Sequence, residues 1–268
     1  MLKFPQFSSA SSRRQFRLGL ALSGGGARGF AHLGAIRALE DCGFRPDIVA
    51  GVSAGSVVAA FYSAGLSTER ILAIFHQAKF RQFAEMKVPR DGLFRMDRFK
   101  RMVERETGVK KIEDLPLPTV ICATDLDSGT PVAFTSGALG DRVAASCSIP
   151  IVFEPVVIDG RRYVDGGVLH NLPAWPLRDR CEKLIGINCS PMYPSAMPAG
   201  KGIIDVARRS FMMMTKGNVA QDMGQCDHAV ELSEVADHQV FDLKDLELLV
   251  EHGYLTTIKA IRQNKFSL

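Results

Sequence analysis

No apolar run in the chain approaches the roughly 20 residues that a membrane-spanning helix needs. The first sixteen residues place Lys3, Arg13 and Arg14 among serines without a continuous apolar core, so they are not expected to act as a secretory signal. Residues 1–16 are therefore expected to form a flexible tail, residues 17–268 a single domain, and the protein to be cytoplasmic, peripheral at a membrane surface if it meets lipid at all. No Cys-x-x-Cys pair occurs among Cys42, Cys122, Cys147, Cys181, Cys189 and Cys226, and none has a histidine at ligand spacing. They read as buried thiols in a reducing compartment, with no metal and no other cofactor required. Charge of one sign is scarce too: 33 basic against 29 acidic residues leave only +4. That excess favours anionic lipid but is too small to argue for nucleic acid, and the arginines follow no nucleic-acid-binding pattern. There is no internal repeat.

What is present is a 268-residue chain, 46% hydrophobic and 23% charged, within the ordinary range for a globular core. From residue 17 strands and helices alternate. Strands are expected at 18–22, 47–52, 118–124, 131–134, 155–158, 161–164 and 183–189. Helices are expected after the glycine loop to Cys42-Gly43, then over 54–64, 68–78 behind a Ser67 cap, from Asp97 to Gly108, and over 138–146, 203–216 and 245–263. The stretch 79–95 reads as a loop. This alternation predicts an α/β fold, a mostly parallel central sheet flanked by helices on both faces, with a hairpin near one edge.

Two strand ends carry glycine signatures. Ile48-Val49-Ala50 runs into Gly51-Val52-Ser53-Ala54-Gly55 and then an apolar helix, the strand–Gly-x-Ser-x-Gly–helix order of a nucleophile elbow. Glycines two residues either side let strand and helix pass closely, and the helix N-terminus points its amides toward the serine. Earlier, Leu18–Leu22 runs into Ser23-Gly24-Gly25-Gly26-Ala27-Arg28-Gly29, where bare backbone amides can converge on an anion. Gly24, Gly26 and Gly29 also satisfy G-x-G-x-x-G, the dinucleotide fingerprint. That reading needs an acidic residue closing the second strand; the serine elbow stands there instead, and Asp47 precedes the strand. An oxyanion hole for Ser53 is the more economical reading. Arg28 has two readings of equal standing: a cation that holds the loop or attracts a phosphate, or a solvated first-turn arginine.

The serine needs a base. Histidines after the elbow are His76, His170, His228, His238 and His252, of which only His170 falls in a suitable loop. A carboxylate fits better. Residues 155–158 and 161–164 flank an Asp159-Gly160 turn, and the second strand delivers Asp165 at its end, followed by Gly166-Gly167. Position alone suits Asp165 equally to a turn or capping role.

Taken together, Gly24–Gly29, Gly51–Gly55 and Asp165-Gly166-Gly167 resemble the patatin-like phospholipases, acyl hydrolases with a Ser–Asp dyad and a three-layer α/β architecture. Ala123-Thr124-Asp125-Leu126 with Gly129, the 144–150 block with Phe153-Glu154-Pro155, and Asn171-Leu172-Pro173 agree, so the resemblance covers about residues 17–190. It implies Ser53 as nucleophile, Asp165 as base, Gly24, Gly25, Gly26, Ala27, Arg28 and Gly29 as oxyanion loop, and a phospholipid or other acyl ester as substrate. The implied course is an acyl-enzyme on Ser53 resolved by water. An acyltransferase using the same intermediate, and a catalytically silent scaffold, are the alternatives. Two apolar stretches complete the expectations. Phe75 to Phe83, interleaved with Lys79 and Arg81, reads equally as a mobile lid or lipid-facing segment and as core packing, and Phe211-Met212-Met213-Met214 is expected to pack into the core.

Overall fold

In β1 (Phe16–Leu22), Leu18, Leu20 and Leu22 join one hydrophobic cluster while Ala21 joins another, the two-residue alternation of a strand buried on both faces. The computed structural model describes residues 14–76, 85–86, 94–191, 202–240, 242–264 and 266. The expected tail up to residue 13 and most of the expected loop at 79–95, including the candidate lid beyond His76, lie outside them.

β1 lies between β2 (Ile48–Val52) and β9 (Cys181–Asn188), parallel to both, and β10 (His228–Glu231) extends the same parallel set beyond β9. β2 in turn pairs in parallel with β5 (Thr119–Asp125). Three antiparallel strands complete the sheet: β6 (Thr130–Phe134), β7 (Val156–Ile158) and β8 (Arg161–Asp165). A separate two-stranded ribbon, β3 (Glu85–Met86) with β4 (Phe94–Arg95), stands apart from it. The expected mostly parallel sheet is thus present, with the hairpin at one edge; its Asp159-Gly160 turn has positive φ at both residues, 50° and 80°. β10 had no expectation behind it, because four residues with only one of them buried give little pattern to read.

Helices surround the sheet. On one face pack α1 (Ala31–Asp41), α2 (Ala54–Ser63), α4 (Asp97–Thr107), α5 (Leu139–Ser146) and α7 (Leu246–Asn264), with α3 (Thr68–His76) sending Ile71 and Phe75 into the same cluster. Ser67 caps α3 as expected, its Oγ accepting the Arg70 amide at 3.2 Å. Gly108, at φ 69°, ends α4. The other face is covered by Leu172, Ala174 and Leu177 of an irregular run and by Met223 at the end of α6 (Ile203–Met223). Of the cysteines, Cys122, Cys181 and Cys189 are buried and Cys147 and Cys226 partly so. Cys42 is exposed, contrary to the buried reading, because it caps α1 at the surface.

One feature of register governs the rest. β5 residues 121–125 pair with β6 along their whole length, so β2 (facing 119–122) and β8 (facing 123–125) must share the opposite flank. β2 runs up that flank and stops at Val52 beside Cys122; β8 runs down it and stops at Asp165 beside Ala123. The two strands meet end to end. Ser53 follows one end and Asp165 closes the other.

Candidate active site

The elbow is as tight as its sequence demands. Ser53 sits at φ 51°, a strained region for a residue with a Cβ, as N-cap of α2. A Cβ on Gly51 would run into the Gly55 carbonyl, and one on Gly55 into the Leu22 carbonyl, so both flanking glycines are sterically required. The turn is held from below. Ser53 N–H donates to Ser146 Oγ at 2.9 Å, and that hydroxyl donates to the Cys122 carbonyl at 2.6 Å. Ser146 therefore links the elbow to the β5 strand end, and Ser148, two residues on, accepts the Asp165 amide at 2.9 Å.

Asp165 is fully buried. One carboxylate oxygen, Oδ1, accepts the Gly167 amide at 2.8 Å. The other, Oδ2, is buried with no hydrogen-bond partner among the described residues. Burial pushes the acid up to about 7, while the Gly167 amide and the Ser53 side chain each pull it back. Ser53 is thus near enough to influence the carboxylate, yet its hydroxyl completes no well-formed bond to Oδ2. A lone buried acceptor beside a strained serine is an arrangement able to receive a proton.

The glycine loop lies alongside, because β1 and β2 are parallel neighbours and their C-terminal ends open on one edge. Its amides are not all available. Gly24 N–H donates to the Asn171 carbonyl at 3.0 Å and Ala27 N–H to the Val240 carbonyl at 2.7 Å. The amides of Gly25 and Gly26 have no acceptor among the described residues, while Arg28 and Gly29 lie within the 3-10 turn Gly26–Phe30. Gly26 has φ 59°, and a Cβ there would meet the Val240 carbonyl. Arg28 is neither solvated nor turned to a headgroup: it is 3% exposed, and its guanidinium donates to the His238 and Ala236 carbonyls at 2.8 and 2.7 Å. It holds the loop against residues 236–240.

Ser53 lies between two recesses. On one side is a cavity of ≈ 180 Å³ walled by Phe30, Val58, Phe75, Met96, Phe99 and Phe153, among others. On the other is a smaller, more polar cleft of ≈ 30 Å³ whose lining includes Gly25, Gly26, Asn171, Ser190, Thr215 and Lys216. An apolar chain on one side of a carbonyl and a polar group on the other would both be accommodated.

The description "Patatin-like phospholipase" matches residues 20–178, more than half of the chain. The chain belongs to the patatin-like phospholipase family. An NTE family protein of Mycobacterium tuberculosis is 37% identical over 167 residues, 60% of this chain and 45% of its own length. The Drosophila melanogaster neuropathy target esterase is 32% identical over 168 residues, 59% of this chain and 12% of its own. The chain thus spans under half the length of either relative. VipD of Legionella pneumophila shares the fold, with a TM-score of 0.50 at 14% identity over 94% of this chain and 67% of VipD. Membership of this family supports lipid hydrolase activity.

Within the patatin-like frame, the sequence-predicted residues Ser53, Asp165, Gly51, Gly55, Gly166 and Gly167 come together, and a Cβ on Gly166 would press on Cys122 O at 2.7 Å. The histidines do not join them. His170 Nδ1 pairs with buried Asp222 of α6 at 2.8 Å, His76 with Glu247, and His238 with the Asp242 carbonyl. Three supporting residues were missed. Ser146 and Asn171 sat inside quoted sequence blocks but carried no chemical signature. Asn218 of α6 accepts the Asn171 amide at 2.9 Å and donates to the Gly167 carbonyl at 3.0 Å, a long-range latch with no local trace.

Proposed function

We propose that the protein is a serine acyl hydrolase of lipid esters, phospholipase A or lysophospholipase in type, working through a Ser53–Asp165 dyad. The observation that carries this reading is the buried, unpartnered Oδ2 of Asp165 beside a strained Ser53 at the mouth of an apolar cavity. Asp165 takes the Ser53 hydroxyl proton as Oγ attacks the ester carbonyl. The resulting oxyanion accepts from the Gly25 and Gly26 amides. Collapse expels the alcohol, which leaves with the proton from Asp165. Water then gives a proton to the same carboxylate and attacks the acyl-enzyme, and the fatty acid departs as Ser53 recovers its hydrogen. A carboxyl at about 7 suits this exchange, being half-ionised at neutral pH and basic enough to accept a proton.

The acyl chain fits the apolar cavity and the leaving alcohol the polar cleft. Hydrolysis of short- and long-chain acyl esters by the wild type and Ser53→Ala tests the reading. Turnover should fall by roughly 10⁴-fold or more on loss of the nucleophile. Retained turnover in Ser53→Ala refutes it.

A further inference from the structure

Of the run Phe211–Met214 expected to pack into the core, Phe211 packs against the main hydrophobic cluster but Met213 and Met214 do not. Met213 and Met214 are 66% and 49% exposed, and two to three turns earlier on α6 Ile203 and Val206 are 78% and 58% exposed. At 100° per residue these four positions fall on one side of the helix, with the small residues Ser210 and Gly217 between and beyond them. The opposite side is buried through Thr215, Val219 and Asp222. α6 therefore presents an apolar stripe outward while Phe211, Met212, Thr215 and Lys216 line the cleft at Ser53.

A second exposed apolar residue stands two positions along the chain from one that lines the cleft. Ile151 is 52% exposed and adopts φ 72°, doubly unfavourable for a β-branched side chain. Its near neighbour Ile149 lines both recesses at Ser53. Charge along the stripe is mainly positive: Arg209 and Lys216 lie on one flank, with Asp205 in the first turn. Burial depresses the Lys216 pKa, the cations Arg28 and Arg209 add to that, and one carboxylate, Glu231, opposes it.

We propose that the outward face of α6, with Ile151, is the surface on which this protein docks to an anionic lipid bilayer. The apolar stripe enters the acyl boundary and its cationic flank meets the anionic headgroups. The purpose of this docking rests on the hydrolase reading, because it names the physical state of the substrate; the binding itself does not.

The test uses full-length Ser53→Ala, so that vesicles survive, and compares it with the same protein carrying Val206→Gln and Met213→Gln. Co-sedimentation is measured with vesicles of phosphatidylcholine alone and with phosphatidylglycerol added. The expected result is binding that phosphatidylglycerol strengthens and that the double substitution weakens at least tenfold. The double substitution in the Ser53 background should leave soluble short-chain ester hydrolysis unchanged and lower hydrolysis of vesicle lipid. Absent vesicle binding, or equal binding by the double variant, overturns the proposal. So does a wild-type dimer that the double variant dissolves without loss of vesicle binding, which would make the stripe a contact between copies. Vesicle binding as expected, with no hydrolysis of any ester by the Ser53 protein, leaves the docking surface standing and removes the hydrolase reading.

Discussion

The two walls of the cleft around Ser53 are built in opposite ways. The sheet-side wall consists of strand-end loops pinned by short buried bonds: Gly24 to Asn171, Ala27 to Val240, Ser53 to Ser146, Asp165 to Ser148. The other wall is α6, anchored toward its C-terminal end by Asp222 and Asn218 while its first turns leave Ile203 and Val206 in solvent. In the proposed mechanism the groups that hold proton and oxyanion geometry sit on the pinned wall, where a small displacement is costly. Apolar groups that would gain from a partner sit on the other. Positioning and contact are thus divided between two elements that share one cleft.

Substitutions that loosen the pinned wall should cost most. Gly26→Ala places a Cβ at φ 59° against the Val240 carbonyl and turns away one of the two available amides. Turnover should fall by about 100- to 1,000-fold, the cost of losing one oxyanion donor, with a smaller change in KM, measured by steady-state ester hydrolysis. Asn218→Ala cuts the latch between the walls, leaving the Asn171 amide and the Gly167 carbonyl unpaired. Chemical denaturation should report a loss of about 1–3 kcal/mol. Turnover should fall roughly tenfold as the Asp165 loop loosens. An unchanged stability would mean the walls are not coupled through Asn218.

Smallest is the effect expected on the exposed side. Ile151→Gly relieves a strained φ of 72°, so unfolding stability should stay level or rise by up to about 1 kcal/mol. Vesicle binding should nevertheless weaken. A residue kept only for packing would show the reverse order, losing stability and keeping lipid affinity.

Much of the pinned wall is legible in the sequence, and the reason is local chemistry. Gly51, Ser53 and Gly55 announce a tight turn; Asp159-Gly160 announces a hairpin; Asp165 before two glycines announces a strand-end carboxylate. The end-to-end meeting of β2 and β8 is not legible, because it depends on which flank of β5 each strand takes, a long-range pairing with no local mark. Ser146, Asn171 and Asn218 are hidden for the same reason: an ordinary polar residue gains its role from what it faces. Arg28 carries two readings of equal standing; the loop-holding one is what the structure shows, and nothing local announces that the charge is buried against two carbonyls. The Met run misled by composition, because methionine density suggests a core while helical phase decides which side each residue occupies.

The central claim is that Asp165, raised to about 7 by burial, is the base for Ser53. Because the ionised carboxylate is the active form, reaction should climb as pH rises through that value and level off above it. The direct measurement is the second-order rate of fluorophosphonate labelling from pH 5 to 9, with intact mass and peptide mapping, in wild type and Asp165→Asn. The account predicts one adduct on Ser53, a rate rising with a midpoint near 7 in the wild type, and in Asp165→Asn a rate about 1,000-fold lower that lacks this limb. Labelling of Asp165→Asn at the wild-type rate with the same pH profile, or an adduct on another residue, would contradict it.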